Sequence, residues 1–193
     1  LSGEQEADLA AKGIMMGFVG DDGVAGDLGG GSLELIDIAG VQLNNAVTLP
    51  LGGLRLIDTT ADKLDKAQAI VDEQIARVSW LSKGRGRRFY AVGGTWRALA
   101  KLHMEQTGYP LRVMHGYALP TRDAIAFCEG VRRAKKVSSL IGGDRIAKPR
   151  REVLPYGALV MERLLRELAP SEVVFSVFGI REGLVYDQLT AEE

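Results

Sequence analysis

The run Asp27-Leu28-Gly29-Gly30-Gly31-Ser32-Leu33-Glu34-Leu35 constrains this chain more than any other stretch. The alternation Leu33-Glu34-Leu35-Ile36-Asp37-Ile38 that follows the glycines predicts a strand rather than a helix, because strand side chains face opposite ways at period two. A glycine turn between two strands exposes backbone N–H groups with no Cβ in the way, which suits an oxyanion such as phosphate. Asp27 before the turn, and Ser32 and Glu34 after it, are placed to hold a metal ion or a water beside that anion. The alternative is a plain hairpin turn with glycine chosen for positive φ.

Around this run the chain reads as one α/β domain. Helical spacing of Leu9, Ala10, Ile14 and Met15 predicts a helix from Glu4 to about Gly17, with Ser2 as its cap. Three strands follow, Val24 to Leu28, Ser32 to Ile38 and Val41 to Leu49, as an antiparallel meander ended by Pro50, Gly52 and Gly53. The apolar stripe Leu64, Ala67, Val71, Ile75, Val78 and Leu81 predicts a helix over 62–82. A short buried strand, Phe89 to Val92, runs through Gly93-Gly94-Thr95 into a helix from Trp96 to about Gln106. A further helix is expected over 122–134, with Thr121 as its cap, and a loop over 141–151. The pattern closes with a helix opened by Pro155-Tyr156, a strand over 173–178 and a terminal helix over 181–189. Meander first and crossovers second predicts a mixed sheet with helices packed on it. That is the order of a ribonuclease-H-like, actin-like ATPase lobe, here with a helical and loop insertion over 108–155.

Composition narrows the function classes. Net charge is −1 over 193 residues, which argues against a general nucleic-acid binder. The basic clusters at 85–88, 132–136 and 148–151 read as solvated charge, although a long polyanion rewards spaced cations. The single Cys128 excludes an internal disulfide or a multi-cysteine metal site and fits a cytoplasmic protein. No apolar run reaches the roughly 18 residues that a membrane span needs. His103 and His115 lack partners at metal-ligand spacing. The start at Leu1-Ser2-Gly3, directly ahead of helix-like sequence, reads as a piece of a longer protein.

Gly93-Gly94-Thr95 is a second candidate anion site, since the first turn of a helix has unpaired N–H groups and partial positive charge. An ordinary strand-to-helix turn capped by Thr95 is the alternative. Glu4 and Glu6 open the first helix, where the dipole favours carboxylates in any case. The spacing Gly-x-Gly-x-x-Gly of a dinucleotide site is absent.

Taken together, these residues resemble the exopolyphosphatase/guanosine pentaphosphate phosphatase family. The resemblance rests on Ser2-Gly3-Glu4-Gln5-Glu6-Ala7, the intact run 27–35, Leu49-Pro50-Leu51-Gly52-Gly53-Leu54-Arg55-Leu56, Gly93-Gly94-Thr95, Val153-Leu154-Pro155-Tyr156-Gly157-Ala158 and Arg181-Glu182-Gly183-Leu184-Val185-Tyr186-Asp187. It implies the second lobe of a two-lobed, Mg²⁺-dependent phosphatase acting on inorganic polyphosphate or guanosine pentaphosphate, with the N-terminal lobe as its missing partner. Oligomeric state stays open, a homodimer included. On the family's pattern Glu6 is the catalytic acid that deprotonates the attacking water. Gly29, Gly30, Gly31 and Ser32 form one phosphate turn, and Gly93, Gly94 and Thr95 the other. Asp27 and Glu34 stand by the metal. Gln5 replaces an acid beside Glu6. A kinase of the same superfold and a sensor that binds polyphosphate or alarmone without hydrolysis are the competing readings.

Overall fold

The computed structural model describes residues 3–18, 22–39, 42–111 and 113–191. The chain runs α1 (Gly3–Gly17), β1 (Asp22–Leu28), β2 (Leu33–Ala39), β3 (Gln42–Leu49), α2 (Gly53–Thr60), α3 (Leu64–Ala76), β4 (Arg88–Val92), α4 (Gly94–Thr107), β5 (Tyr117–Pro120), α5 (Thr121–Arg133), α6 (Lys148–Leu168), β6 (Glu172–Phe175) and α7 (Ile180–Ala191), with short 3-10 turns between some of them. One six-stranded sheet has the order β3-β2-β1-β4-β6-β5. β1, β2 and β3 pair antiparallel, β4 lies parallel to β1 and to β6, and β5 closes the edge antiparallel to β6. The mixed sheet and its crossovers are those expected of an actin-like lobe.

Both faces of the central strands are covered, so β1, β4 and β6 are largely apolar on both sides, as parallel pairing requires, while the edge strands β3 and β5 alternate with exposed residues. On one face Val24, Leu28, Leu33, Leu35, Phe89, Ala91 and Phe175 pack with α3, α4, α5 and α6. On the other, Ala25, Ile36, Ile38, Tyr90 and Val92 pack with Ala10, Ala11 and Ile14 of α1. Glycines let α7 lie tightly on α1. A Cβ at Gly183 would overlap the Leu9 carbonyl, and one at Gly13 the Gly179 carbonyl.

Five features depart from the pattern read in the sequence. α6 begins at Lys148, with Pro155 inside it rather than opening it, and the segment 141–151 is therefore only partly loop. The Ala147 carbonyl accepts the Arg150 and Arg151 N–H groups, and Pro149 stands in the first turn, where no donor is needed. α2 begins on Gly53 itself, one of the glycines that end the meander, with Gly52 at its cap position. β5 is too short, and too close to Pro120, to announce itself, and it takes the edge position that proline tolerates. The long helix ends at Ala76 and gives way to a 3-10 turn over Leu81–Gly84. Neither threonine caps its helix: Gly93 and Pro120 hold the cap positions, and the Thr121 hydroxyl donates to the Pro170 carbonyl. Ser2 lies outside the described residues.

Two basic clusters are structural. Arg87 clamps the start of the sheet, its guanidinium donating to Asp22, to Asp37 at 2.8 Å and to the Ile38 carbonyl at 2.6 Å. Arg132 and Arg166 both pair with buried Glu162, tying α5 to α6. No helix among the described residues is long and apolar enough to cross a membrane.

Gly183→Ala is expected to destabilise the fold by about 1–3 kcal/mol through overpacking, lowering the melting temperature by several degrees. Gly130→Ala, on α5 where a Cβ meets open space, should instead be neutral or stabilise by about 0.5–1 kcal/mol. Thermal melts of the two variants check both signs.

Candidate active site

The parallel register of β1 on β4 sets Asp27 beside Val92, so both glycine turns leave the same end of the sheet as neighbours. Gly93 has φ 103° and ψ 156°, a conformation open essentially only to glycine. A Cβ there would overlap the Leu28 carbonyl and lie 3.0 Å from Asp27 Oδ1. The carboxylate of Asp27 therefore sits against the second turn while its backbone leads into the first.

The first turn is tight. The Gly29 N–H donates to the Ser32 carbonyl at 3.0 Å, leaving Gly30 and Gly31 at the tip. All three glycines are exposed and Ser32 is half-buried. None of the three has positive φ, so the hairpin-geometry reason for glycine does not apply here. A Cβ on Gly31 would meet nothing within 4 Å, which leaves its backbone open to a ligand. The turn is buttressed from below. The Gly30 carbonyl accepts the Arg55 N–H at 3.1 Å, and Gly52 lies so close to the Gly30–Gly31 peptide that a Cβ would overlap it. The segment Leu49 to Leu56 thus shapes the first glycine turn rather than merely ending the meander.

The second turn is equally braced. The indole N–H of fully buried Trp96 donates to the Gly157 carbonyl at 3.0 Å, and the Trp96 ring packs edge-on against Phe89. The Thr95 methyl packs where a Cβ of Gly157 would go. Gly93, Gly94 and Thr95 are half-buried, at the start of a helix whose first-turn N–H groups have no partner within the helix.

Asp27 and Glu34 are direct partners across β1 and β2, so their side chains share a face with Cβ atoms roughly 5 Å apart. It is the face of Ala25 and Ile36, covered by α1. Glu34 is 3% exposed and Asp27 half-buried. Two hard oxygen donors beside two glycine turns fit the chemistry of Mg²⁺, which takes one or two carboxylates and completes its shell with other oxygen ligands. Among the described residues no group of three or more His, Cys, Asp or Glu forms a ready metal cluster. Glu6 lies on α1 about one turn before Ala10 and Ala11, on the helix that covers this face. Its side chain is outside the described residues.

Two neighbours of the site escaped the sequence reading. The loop after β6 brings Gly179 to the carboxylate, with Asp27 Oδ2 3.7 Å from where its Cβ would be. Ser176 builds that loop by accepting the Phe178 N–H at 3.0 Å, and Glu182 caps the Gly179 N–H at 2.8 Å. Arg150, taken for solvated charge, places its guanidinium 3.6 Å from the Cβ position of Gly94. Its signal was a cation seven residues before Gly157, readable only once α6 extends upstream.

The histidines are held by contacts of their own. His103 Nδ1 meets the Tyr117 hydroxyl at 2.7 Å, and burial holds its pKa below the usual imidazole range although Asp123 pulls the other way. His115 is sandwiched between Phe18 and Phe178. Burial pushes the Cys128 thiol far up, so it is inert.

Gly93→Ala is expected to cost about 3 kcal/mol or more, from backbone strain plus overlap with Leu28, readable by denaturant unfolding. For His103 the unfolded chain takes up the proton first, so stability falls as pH drops below about 6.5. Unfolding at pH 7.5 and 5.5 should show that slope, and His103→Asn should flatten it.

A family model described as the Ppx/GppA phosphatase family matches residues 1–192. Solved structures of the same fold include a Ppx/GppA family member of Aquifex aeolicus, 21% identical with a TM-score of 0.79 over 98% of this chain and 63% of that one. An exopolyphosphatase of Cytophaga hutchinsonii is 21% identical, with a TM-score of 0.81 over 98% of this chain and 64% of that one. An exopolyphosphatase-like protein is 26% identical, with a TM-score of 0.78 over 97% and 65%. The chain thus spans just under two thirds of the length of these relatives. With the whole described sequence matched by one family model and its fold shared by that family's structures, the chain belongs to the Ppx/GppA phosphatase family.

Proposed function

We propose that the full-length protein hydrolyses the terminal phosphoanhydride of inorganic polyphosphate or of guanosine pentaphosphate in the cytoplasm, and that this chain is the second lobe of its catalytic module. The observation that carries this reading is the convergence of the two glycine turns on Asp27 at one end of the sheet. Phosphoryl transfer asks mainly for positioned phosphates, neutralised charge and an in-line water. The N–H groups at Gly30 and Gly31 hold the phosphate that is to be cleaved, with Gly29 and Ser32 closing the turn. Gly93, Gly94 and Thr95 hold the phosphates behind it at the start of α4, and Arg150 adds a positive charge there. Glu6 accepts the proton of the water whose oxygen bonds to phosphorus as the bridging P–O bond breaks. Asp27 and Glu34 would hold Mg²⁺, which would supply neutralisation of charge on the phosphate.

The first lobe supplies the opposite wall of the cleft, so this lobe alone should be inactive or nearly so. In the full-length protein, Glu6→Gln should lower kcat by about 10²-fold or more with little change in substrate binding. Chelating divalent metal should abolish turnover. Phosphate release measured from both substrates checks these outcomes. Near-normal turnover by Glu6→Gln removes Glu6 from the mechanism, and full binding without hydrolysis by the unmodified protein would make it a sensor instead.

A further inference from the structure

The loop that follows β6 lies against the Asp27 carboxylate and is also tied to a histidine that the proposed reaction does not use. Gly179 is buried, and a Cβ on it would lie 2.9 Å from Val92 Cγ1 and 3.7 Å from Asp27 Oδ2. Its carbonyl meets α1, 2.1 Å from where a Cβ of Gly13 would be. The loop is rooted at its start. The Ser176 N–H donates to the Ala91 carbonyl at 3.0 Å, and the Ser176 hydroxyl accepts the Phe178 N–H. The Phe178 ring then stacks on His115, with centroids 4.7 Å apart and planes 26° apart, within the offset-stacked range.

His115 is itself fixed from several directions. The next residue, Gly116, donates its N–H to the Phe175 carbonyl at 2.9 Å, which anchors the histidine to the end of β6. Phe18, just past α1, packs on the imidazole at 4.6 Å. His115 Nε2 donates to the Gly17 carbonyl at 3.4 Å, which leaves Nδ1 as an acceptor. That Nδ1 is buried without a hydrogen-bond partner among the described residues. The end of α1 reaches the stack only because residue 17 is bare. A Cβ on Gly17 would lie 2.7 Å from His115 Cε1 and 2.9 Å from Phe178 Cδ2, so a methyl group there would displace one ring or the other.

We infer that His115 is a positioning residue for Asp27: by stacking on Phe178 it holds the 176–179 loop against the carboxylate and so keeps that carboxylate in place for a divalent cation. This rests on the reading of Asp27 as a metal-holding group, and it gives His115 no contact of its own with metal or substrate. Groups that orient a metal-holding side chain from behind change affinity or activity by about 10–100-fold when removed. The stack, rather than the ring nitrogens, carries the effect, so a phenyl ring should serve in place of the imidazole.

The test uses the full-length protein with Mn²⁺ as the divalent probe. Electron paramagnetic resonance reads Mn²⁺ affinity without substrate, and phosphate release from polyphosphate reads kcat and KM. His115→Ala removes the stack and Gly17→Ala crowds it. Each is expected to weaken Mn²⁺ about tenfold and to lower kcat about tenfold, with KM changed by less than about twofold. His115→Phe keeps a flat ring and removes the orphaned acceptor, so its Mn²⁺ affinity should stay within about twofold of the unmodified protein and its melting temperature should not fall. A purely structural role predicts a lower melting temperature for His115→Ala with Mn²⁺ affinity unmoved well below it, and that result defeats the inference. So does a folded His115→Phe as impaired as His115→Ala. If His115→Ala does not fold, Gly17→Ala carries the same comparison. An unmodified protein that does not bind Mn²⁺ overturns the metal reading of Asp27 and this inference with it, whereas Mn²⁺ binding without phosphate release overturns only the phosphatase.

Discussion

The parallel pairing of β1 with β4 is the contact on which the rest depends. It aligns Asp27 with Val92, so the chain leaves the sheet twice at the same height. Both exits are glycine turns, and the second passes so close to the Leu28 carbonyl that Gly93 must be bare and adopt φ 103°. A slip of one residue would turn Asp27 to the opposite face and separate the carboxylates from the turns. The registers are pinned at the far end by Arg87, which joins Asp22, Asp37 and two strand carbonyls.

Close backbone approach is the recurring device. Gly52 supports the first turn, Gly157 receives the Thr95 methyl under the second, and Gly13 and Gly183 bring α7 onto α1. At each of these positions a methyl group would displace backbone or a braced side chain. Rigid supports of this kind suit a site that works by positioning, since N–H donors aimed at an anion act only if they need no rearrangement. The exposed tip at Gly31 differs, with nothing within 4 Å of its Cβ position.

Much of this was legible in residue pattern. The period-two run after the glycines identified β2, the apolar stripe at Ala67, Val71 and Ile75 identified α3, and the two glycine turns were found with their boundaries. What escaped has physical causes. β5 is four residues long and ends in proline, so it has no periodicity to read. Pro155 suggested a helix start because its missing donor is visible in sequence, whereas the Arg150 and Arg151 bonds that begin α6 upstream are not. Arg150 and Gly179 reach the site from elements distant in the chain, one through the start of α6 and the other through the loop after β6.

By itself the sequence determined the local parts: which segments become strands or helices, where bare backbone occurs, and which carboxylates flank it. Those follow from period, steric freedom and charge within a few residues. Only the tertiary structure decided that the two turns adjoin, that Asp27 and Glu34 share the face covered by α1, and that Arg150 rather than the other basic clusters stands at the opening. These depend on strand register and on helices packed across the sheet, which bring together residues far apart in the chain.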